Sequence, residues 1–350
     1  MKKELLVASA LAGTMGLAGV AEAATASFSG NVRAGVTGDD VDSTTTATHS
    51  ADQKSSLSFS VSETTDAGTK ISTSFSVHDE GVDDAGNPAG ITLTFTDDST
   101  LKLIEAGNAA TGRIASVPGA SGEQGIGAVA SSANAAPTAI TWGSSSDNVG
   151  FTYTSAADAL GVEGLTFGVS FAVGDDTDGT ISSTAETSYS AGITYVTDAG
   201  DTEITIGGGF VNADDSNKLT QNDKADVIMM SATAVTGDLT LGVGWGSGSA
   251  VDGNTTEIDS AQILTAGAKY VSGDMTMSVG MVDSEAKDGT EGSDGTNTDT
   301  LESLSASVDY VVASGVTATV GYTDVSAGNE GASVSGNSGS SWYVGANISF

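Results

Sequence analysis

Residues 341–350 read Ser-Trp-Tyr-Val-Gly-Ala-Asn-Ile-Ser-Phe. Trp342, Val344, Ala346, Ile348 and Phe350 form an apolar set, interleaved with Ser341, Tyr343, Gly345, Asn347 and Ser349. A period of two is the mark of a β-strand whose two faces meet different surroundings. Working back through the chain, the same alternation recurs at Val316/Ala318/Val320/Tyr322, Leu304/Ala306/Val308/Tyr310, Met275/Met277/Val279/Met281 and Leu239/Leu241/Val243/Trp245. It continues at Ile204/Ile206/Gly208/Phe210, Leu165/Phe167/Val169/Phe171/Val173, Ile71/Phe75/Val77, Leu57/Phe59/Val61 and Phe28/Val32/Val36.

The pattern predicts sixteen strands, at about 27–37, 54–63, 69–79, 90–97, 100–106, 148–155, 164–174, 185–197, 201–212, 225–236, 238–248, 260–272, 274–284, 301–313, 315–325 and 339–350. Most are ~9–12 residues, the length a tilted strand needs to cross a bilayer. Connections alternate between short ones, such as Gly237-Asp238 and Ser314-Gly315, and long ones, such as 38–53, 213–224, 285–300 and 326–338. That rhythm puts all the tight turns at one end. An even strand number puts both termini there too, so strand one can pair with strand sixteen. The expected fold is all-β, a 16-stranded antiparallel transmembrane β-barrel with short periplasmic turns and long acidic outer loops. A brief run at 139–142 could instead add a strand and change the count.

Aromatic residues sort to the strand ends. Tyr153, Tyr195, Tyr270, Tyr310 and Phe350 lie beside the short turns, and Phe171, Phe210, Trp245, Tyr322 and Trp342 beside the long loops. Two aromatic girdles flanking an aliphatic band are what the two bilayer interfaces select. The interleaved Ser, Thr, Gly and Asn suit a wet interior.

Composition agrees. The chain of 350 residues carries 11 Lys+Arg against 45 Asp+Glu, a net charge of -34, which excludes an electrostatic nucleic-acid binder. With no Cys, disulfide scaffolds, thiolate metal sites and cysteine nucleophiles are excluded. Residues 1–23 read as a secretory signal. Lys2 and Lys3 precede an apolar run from Leu5 to Val20, and Ala21-Glu22-Ala23 offers a small-x-small cleavage site. The expected organisation is a cleaved segment 1–23 and a barrel domain 24–350.

With these features placed, the chain resembles the Gram-negative general diffusion porins, especially the trimeric 16-stranded porins of α-proteobacterial type. Three features carry the likeness. The first is the opening strand Ala26-Ser-Phe-Ser-Gly-Asn-Val-Arg-Ala-Gly-Val36, following a signal. The second is the long segment 107–148 after strand five, rich in Ala, Gly and Ser. The third is the terminal strand ending at Phe350, which looks like the signal read by the outer-membrane assembly machinery. The resemblance implies a water-filled channel in the bacterial outer membrane, passing ions and small hydrophilic solutes, built as a homotrimer in outer-membrane lipid. It also implies that 107–148, the third outer loop, folds into the barrel as a constriction loop, which its few charges and small residues would suit.

By strand parity Arg33, Lys70, Lys102 and Lys269 face the lumen, as do His78 and Asp309. The resemblance assigns Arg33, Lys70 and Lys102 to a basic wall facing Glu123 and Glu105, with Arg113 the only Arg on the loop; scattered lumen charges without an organised eyelet are the alternative. Acid-rich outer stretches holding Asp175, Asp176 and Asp178, and Asp294 and Asp299, resemble fragments of calcium loops but lack the full ligand spacing. They could hold Ca²⁺ or Mg²⁺ loosely, or be a solvated acidic surface; no other cofactor is expected. Acid-lined mouths concentrate cations, so a mild cation preference is expected. Catalysis finds no support: His49 and His78 stand without a nucleophile elbow, and Gly207-Gly-Gly209 has no strand-turn-helix context for phosphate. The alternatives are a soluble acidic surface-layer or adhesin protein, and a substrate-specific outer-membrane channel.

Overall fold

The computed structural model describes residues 24–42, 48–78, 90–130, 136–141, 148–175, 187–214, 224–251, 257–288, 298–328 and 338–350. The expected signal segment 1–23 lies outside the described residues. The strands run β1 (Thr25–Val41), β2 (Thr48–Thr64), β3 (Lys70–His78), β4 (Ile91–Thr94), β5 (Thr100–Ala106), β6 (Asn148–Thr154), β7 (Leu165–Asp175), β8 (Thr187–Ala199), β9 (Thr202–Asp214), β10 (Lys224–Thr236), β11 (Leu239–Val251), β12 (Glu257–Ser272), β13 (Met275–Asp288), β14 (Thr298–Ala313), β15 (Val316–Gly328) and β16 (Ser338–Ser349). Each pairs antiparallel with its neighbours in sequence, and β1 pairs with β16, so the sheet closes with no free edge. Closure is what lets a sheet stand in hydrocarbon, where an unpaired backbone amide has no water to bond.

The expected strands and the observed ones match in number and order. Residues 139–141 are turn and bend, so they add no strand among the described residues. The largest differences in extent are at β1 and β2, which continue pairing beyond the expected ends, through Asp39↔Thr48. The outward side chains there are no longer apolar, so the period that marks a strand in lipid fades while the ladder continues. On the turn side, Gly237 (φ +54°) and Gly273 (φ +58°) each occupy the first position of a two-residue hairpin. Mirror-image hairpin turns place that position at positive φ, which glycine adopts without strain. At 95–99, the Ser99 amide and hydroxyl both donate to Asp97 Oδ1, at 3.1 and 2.7 Å, holding that exposed carboxyl below its ordinary pKa.

The alternation sorts cleanly between two solvents. Val243, Val279, Leu304, Val320 and Val344 point outward and are exposed, as are Tyr270, Tyr310 and Phe350 toward the turns and Phe210, Trp245 and Tyr322 toward the loops. Above the last ring, Asp283 pairs across from Glu302, and Asp324 is opposite Leu304, so the outer face turns acidic where the apolar band ends. The wall is uneven in height. β8–β15 run 13 to 16 residues, whereas β4 has 4 and β5 and β6 have 7 each. What is buried is not a conventional core but the contact between the inner wall and the third loop: Val129 and Ala136 of the loop pack on Leu301, Val325 and Ala327, and Ala110 packs on Val211, Val227 and Met229.

Candidate channel constriction

The third loop leaves β5 at Gly107 and lies along the inner wall in two legs. The outgoing leg travels from β6 round to β16. Thr152 Oγ1 donates to the Gly107 carbonyl at 2.7 Å, the Ala109 amide to Ser190 Oγ at 2.8 Å, Thr194 Oγ1 to the Arg113 carbonyl at 2.7 Å, and the Ser121 amide to Ser307 Oγ at 2.8 Å. The loop's backbone polar groups are thus met by wall hydroxyls, which a buried irregular segment requires. A helical turn at the tip, α1 (Ile126–Val129), packs against β15, β16 and β1. The return leg passes Ser284, whose hydroxyl donates to the Pro137 carbonyl at 2.7 Å.

Close seating depends on glycine. A Cβ at Gly207 would lie 2.5 Å from the Arg113 carbonyl oxygen, one at Gly209 2.7 Å from Ala110 Cβ, one at Gly267 1.8 Å from the Pro118 carbonyl oxygen, and one at Gly321 2.2 Å from the Gln124 amide. These glycines form a track across β9–β15 on which the loop rests. Gly208, between two of them, points outward, where a Cβ would meet nothing nearer than 4.0 Å.

The tip reaches the charged centre. Arg33 Nε and Nη2 donate to the two carboxylate oxygens of Asp52 at 2.7 and 2.9 Å, and Arg33 Nη1 pairs with Glu123 on the loop. Tyr343, 2 % exposed, fills the space behind, against Gly35, Gly122 and Gly345. Lys54 stands directly across the ladder from Arg33. Ser121 Oγ and Thr319 Oγ1 both donate to Asp309, fixing the leg just before the tip. Within this cluster Arg33 and Lys54 balance Asp52 and Glu123, so its local charge is near zero.

Of the residues singled out from sequence, Arg33 and Glu123 meet. Lys70 does not join them. It pairs with Thr64 beside a periplasmic turn, ten residues down β2 from Lys54, or ~30 Å along the strand. Lys102 faces inward between Thr92 and Thr152. Glu105 pairs with Val149 in the backbone register, and its side chain lies outside the described ones. Arg113 is pressed to the opposite wall, where its guanidinium donates to Thr166 at 3.1 Å and burial lowers its pKa without removing its charge. Lys269 sits on β12 between Thr240 and Ser278, near the turns. Phe350 lays its ring over Gly30 on the outer face.

Asp176, Asp178 and Asp294 lie outside the described residues, and Asp175 is placed only by its backbone pairing with Asn148. Asp299 is 2 % exposed on β14, not on an open acidic loop. Among the described residues no three His, Asp or Glu side chains come together as a metal-binding group. Asp52, Lys54 and Tyr343 were not anticipated at the site. Lys54 shares the parity of Ser56 and Ser58, which could have found it; Asp52 falls where the apolar period has already faded.

A family model described as Gram-negative porin matches residues 7–349. No curated protein matches. Among solved structures, OmpF of Salmonella typhi in complex with daunomycin superposes with a TM-score of 0.64 at 14% identity, covering 93% of this chain and 98% of that one. An anion-selective porin from Comamonas acidovorans gives 0.61 at 13% identity, covering 93% and 100%. OmpT of Vibrio cholerae, in its trimer form, gives 0.59 at 14% identity, covering 94% and 100%.

Proposed function

The chain belongs to the Gram-negative porin family, an outer-membrane family of channel-forming barrels, and from that premise we propose that it passes ions and small hydrophilic solutes down their gradients with a mild preference for cations. The observation that carries this is the hydroxyl-lined lumen crossed by a loop whose tip is held on Arg33. No reaction is required: bore, field and exclusion size do the work.

The cation preference follows from where the charge lies. The cluster at Arg33, Asp52, Lys54 and Glu123 is close to neutral, so it gives no strong sign of its own. The chain as a whole carries -34, much of it in the stretches that border the mouth. Acid at a pore entrance raises the local cation concentration, an effect screened over ~8 Å at physiological salt, so the preference is mild. The Comamonas relative, on the same fold, is described as anion-selective. Selectivity is therefore a matter of side chains and not of the barrel.

Assembly as a homotrimer is part of the proposal. The paired part of β4 spans ~13 Å at 3.3 Å per residue, well short of an apolar band ~25 Å tall. On the neighbouring strands Phe28, Phe59 and Phe75 form an outward ladder with ring centroids 4.9 and 5.2 Å apart. A low wall with an aromatic face is better covered by a second copy than by lipid, and OmpT of Vibrio cholerae is described in a trimer form. Planar-bilayer recording under a KCl gradient tests the whole reading. Conductance steps in threes with a cation-directed reversal potential are expected; an anion-directed potential overturns the preference, and a water-soluble chain without conductance overturns the channel.

Phe350 belongs to the assembly signal in this reading, recognised by the outer-membrane assembly machinery before the barrel closes. Deleting it removes one ring over Gly30, yet is expected to cost far more folded protein in cells than in detergent refolding. Equal loss in the two settings would mean that Phe350 acts through packing alone.

A further inference from the structure

The lipid-facing side of β10–β14 is not level. On β12 the outward residues near mid-height are Ala266 and Ala268, whereas the flanking strands carry Leu241 and Val243 on β11 and Val279 and Met281 on β13, all four exposed. Each alanine stands directly across from a large side chain on either neighbour, so two aliphatic ridges ~10 Å apart flank a floor of methyl groups. The groove continues over the alanines of β10, has a volume of about 550 Å³, and has no ionisable side chain among its lining residues. Its span over β12 suits one extended hydrocarbon chain.

The loop-side head of the groove is charged. Asp283 stands two residues beyond Met281 on β13, and Glu302 two residues before Leu304 on β14. Both are exposed on the outer face and lie directly opposite each other in the ladder, where like charges repel. Their described outward neighbours bring no relief. Leu264 is across from Asp283, Ser326 is across from Glu302, and Asp324 is diagonal to Glu302. Lys287 stands four residues further along β13, ~13 Å from Asp283. An occupant that stabilises this face brings a hydrocarbon chain to the groove and a positive charge to the ladder above it.

A second copy of this chain fits neither demand. β12 lies eight strands from β4 in the closed sheet, so the groove faces away from the low wall that the trimer reading assigns to neighbouring copies. A chain of net charge -34 would also bring acid to acid. A lone metal ion would answer the carboxylates and leave the groove empty, and an anionic lipid would fill the groove against their repulsion. We propose that this face binds one membrane lipid with a primary amine on its headgroup. The acyl chain lies between the ridges of β11 and β13, and the ammonium donates hydrogen bonds to Asp283 and Glu302. Met281 and Asp283 are ~7 Å apart along the strand, comparable to the span from the amine of a phospholipid headgroup to its glycerol.

The test is native mass spectrometry of the detergent-solubilised protein in EDTA, offered equal amounts of phosphatidylethanolamine and phosphatidylcholine with identical acyl chains. The two lipids differ only in N-methylation, so only the first can donate N–H bonds. Retention of the ethanolamine lipid about fivefold over the choline lipid is expected, the contribution of one net hydrogen bond. The double variant Asp283→Asn with Glu302→Gln should bring the ratio to one. Ala266→Phe, which fills the groove floor, should lower retention of both lipids. Heat-modifiable migration on a gel reports that each barrel is folded. Equal retention by the unaltered protein, or a ratio unchanged in the double variant, overturns the site. So does a preference for phosphatidylglycerol once calcium is restored, which would make the carboxylates a metal bridge to anionic lipid. A changed oligomeric state in Ala266→Phe would mean that a second copy covers the groove, and overturns it too. Conductance in KCl tests the channel reading separately.

Discussion

Gly267→Val is expected to lower single-channel conductance and to destabilise the folded barrel by ~1–3 kcal/mol, the usual cost of forcing atoms into a packed contact. A Cβ there would stand 1.8 Å from the Pro118 carbonyl oxygen, and both partners are backbone, so neither can rotate away. The loop must lift off the wall into the lumen, which narrows the bore and breaks the neighbouring hydrogen bond from the Ser121 amide to Ser307. Gly208→Val is the matched control. Its side chain would point outward with no atom nearer than 4.0 Å, and valine suits a lipid-facing strand. Unfolding midpoints on heating in detergent, with conductance measured on the same preparations, decide the matter. If the two variants behave alike, the loop does not rest on the wall as described.

The contrast between Gly207 and Gly208 also shows how far the sequence could be read. Alternation is legible because lipid and water select opposite residues on the two faces, and most strands from β7 to β16 keep that rhythm. β10 does not, because Val227 and Met229 face inward under the third loop while Ile228 and Met230 face outward. The third loop's place inside the barrel is what the family resemblance implies, and its low charge and small residues suit that place. Its path was not legible, because the glycines that carry it fall in the polar half of the alternation, where Gly, Ser and Thr look alike. Only the close approach of Ala110, Arg113 and Pro118 distinguishes Gly207, Gly209 and Gly267 as seats. The charged site was legible by half. Parity puts Arg33 and Lys70 on the same inner face, but height along the barrel depends on register, and register places Lys70 opposite Thr64 and Lys54 opposite Arg33. Tyr343 is the inverse case: an aromatic in the polar half, which belongs there because it fills the space between loop tip and wall.

Arg33→Ala should shift the reversal potential further toward cations. Arg33 holds two carboxylates, Asp52 through a bidentate pair and Glu123 on the loop tip through an ion pair, so its loss turns a near-neutral cluster into one with excess negative charge. One unit charge ~8 Å from a passing ion in water is worth about 0.5 kcal/mol, or about twofold in relative permeability. The shift should shrink in molar salt, where screening acts over ~3 Å. Glu123→Lys is expected to move selectivity the opposite way, because it replaces the loop's only described carboxylate at the cluster with a second cation facing Arg33. It should also loosen the tip, since the introduced ammonium would repel the Arg33 guanidinium that the Glu123 carboxylate attracts. Opposite shifts from the two variants would locate the selectivity at this contact. Unchanged potentials in both would mean that ions pass beyond its reach, and that the acidic mouths alone set the preference.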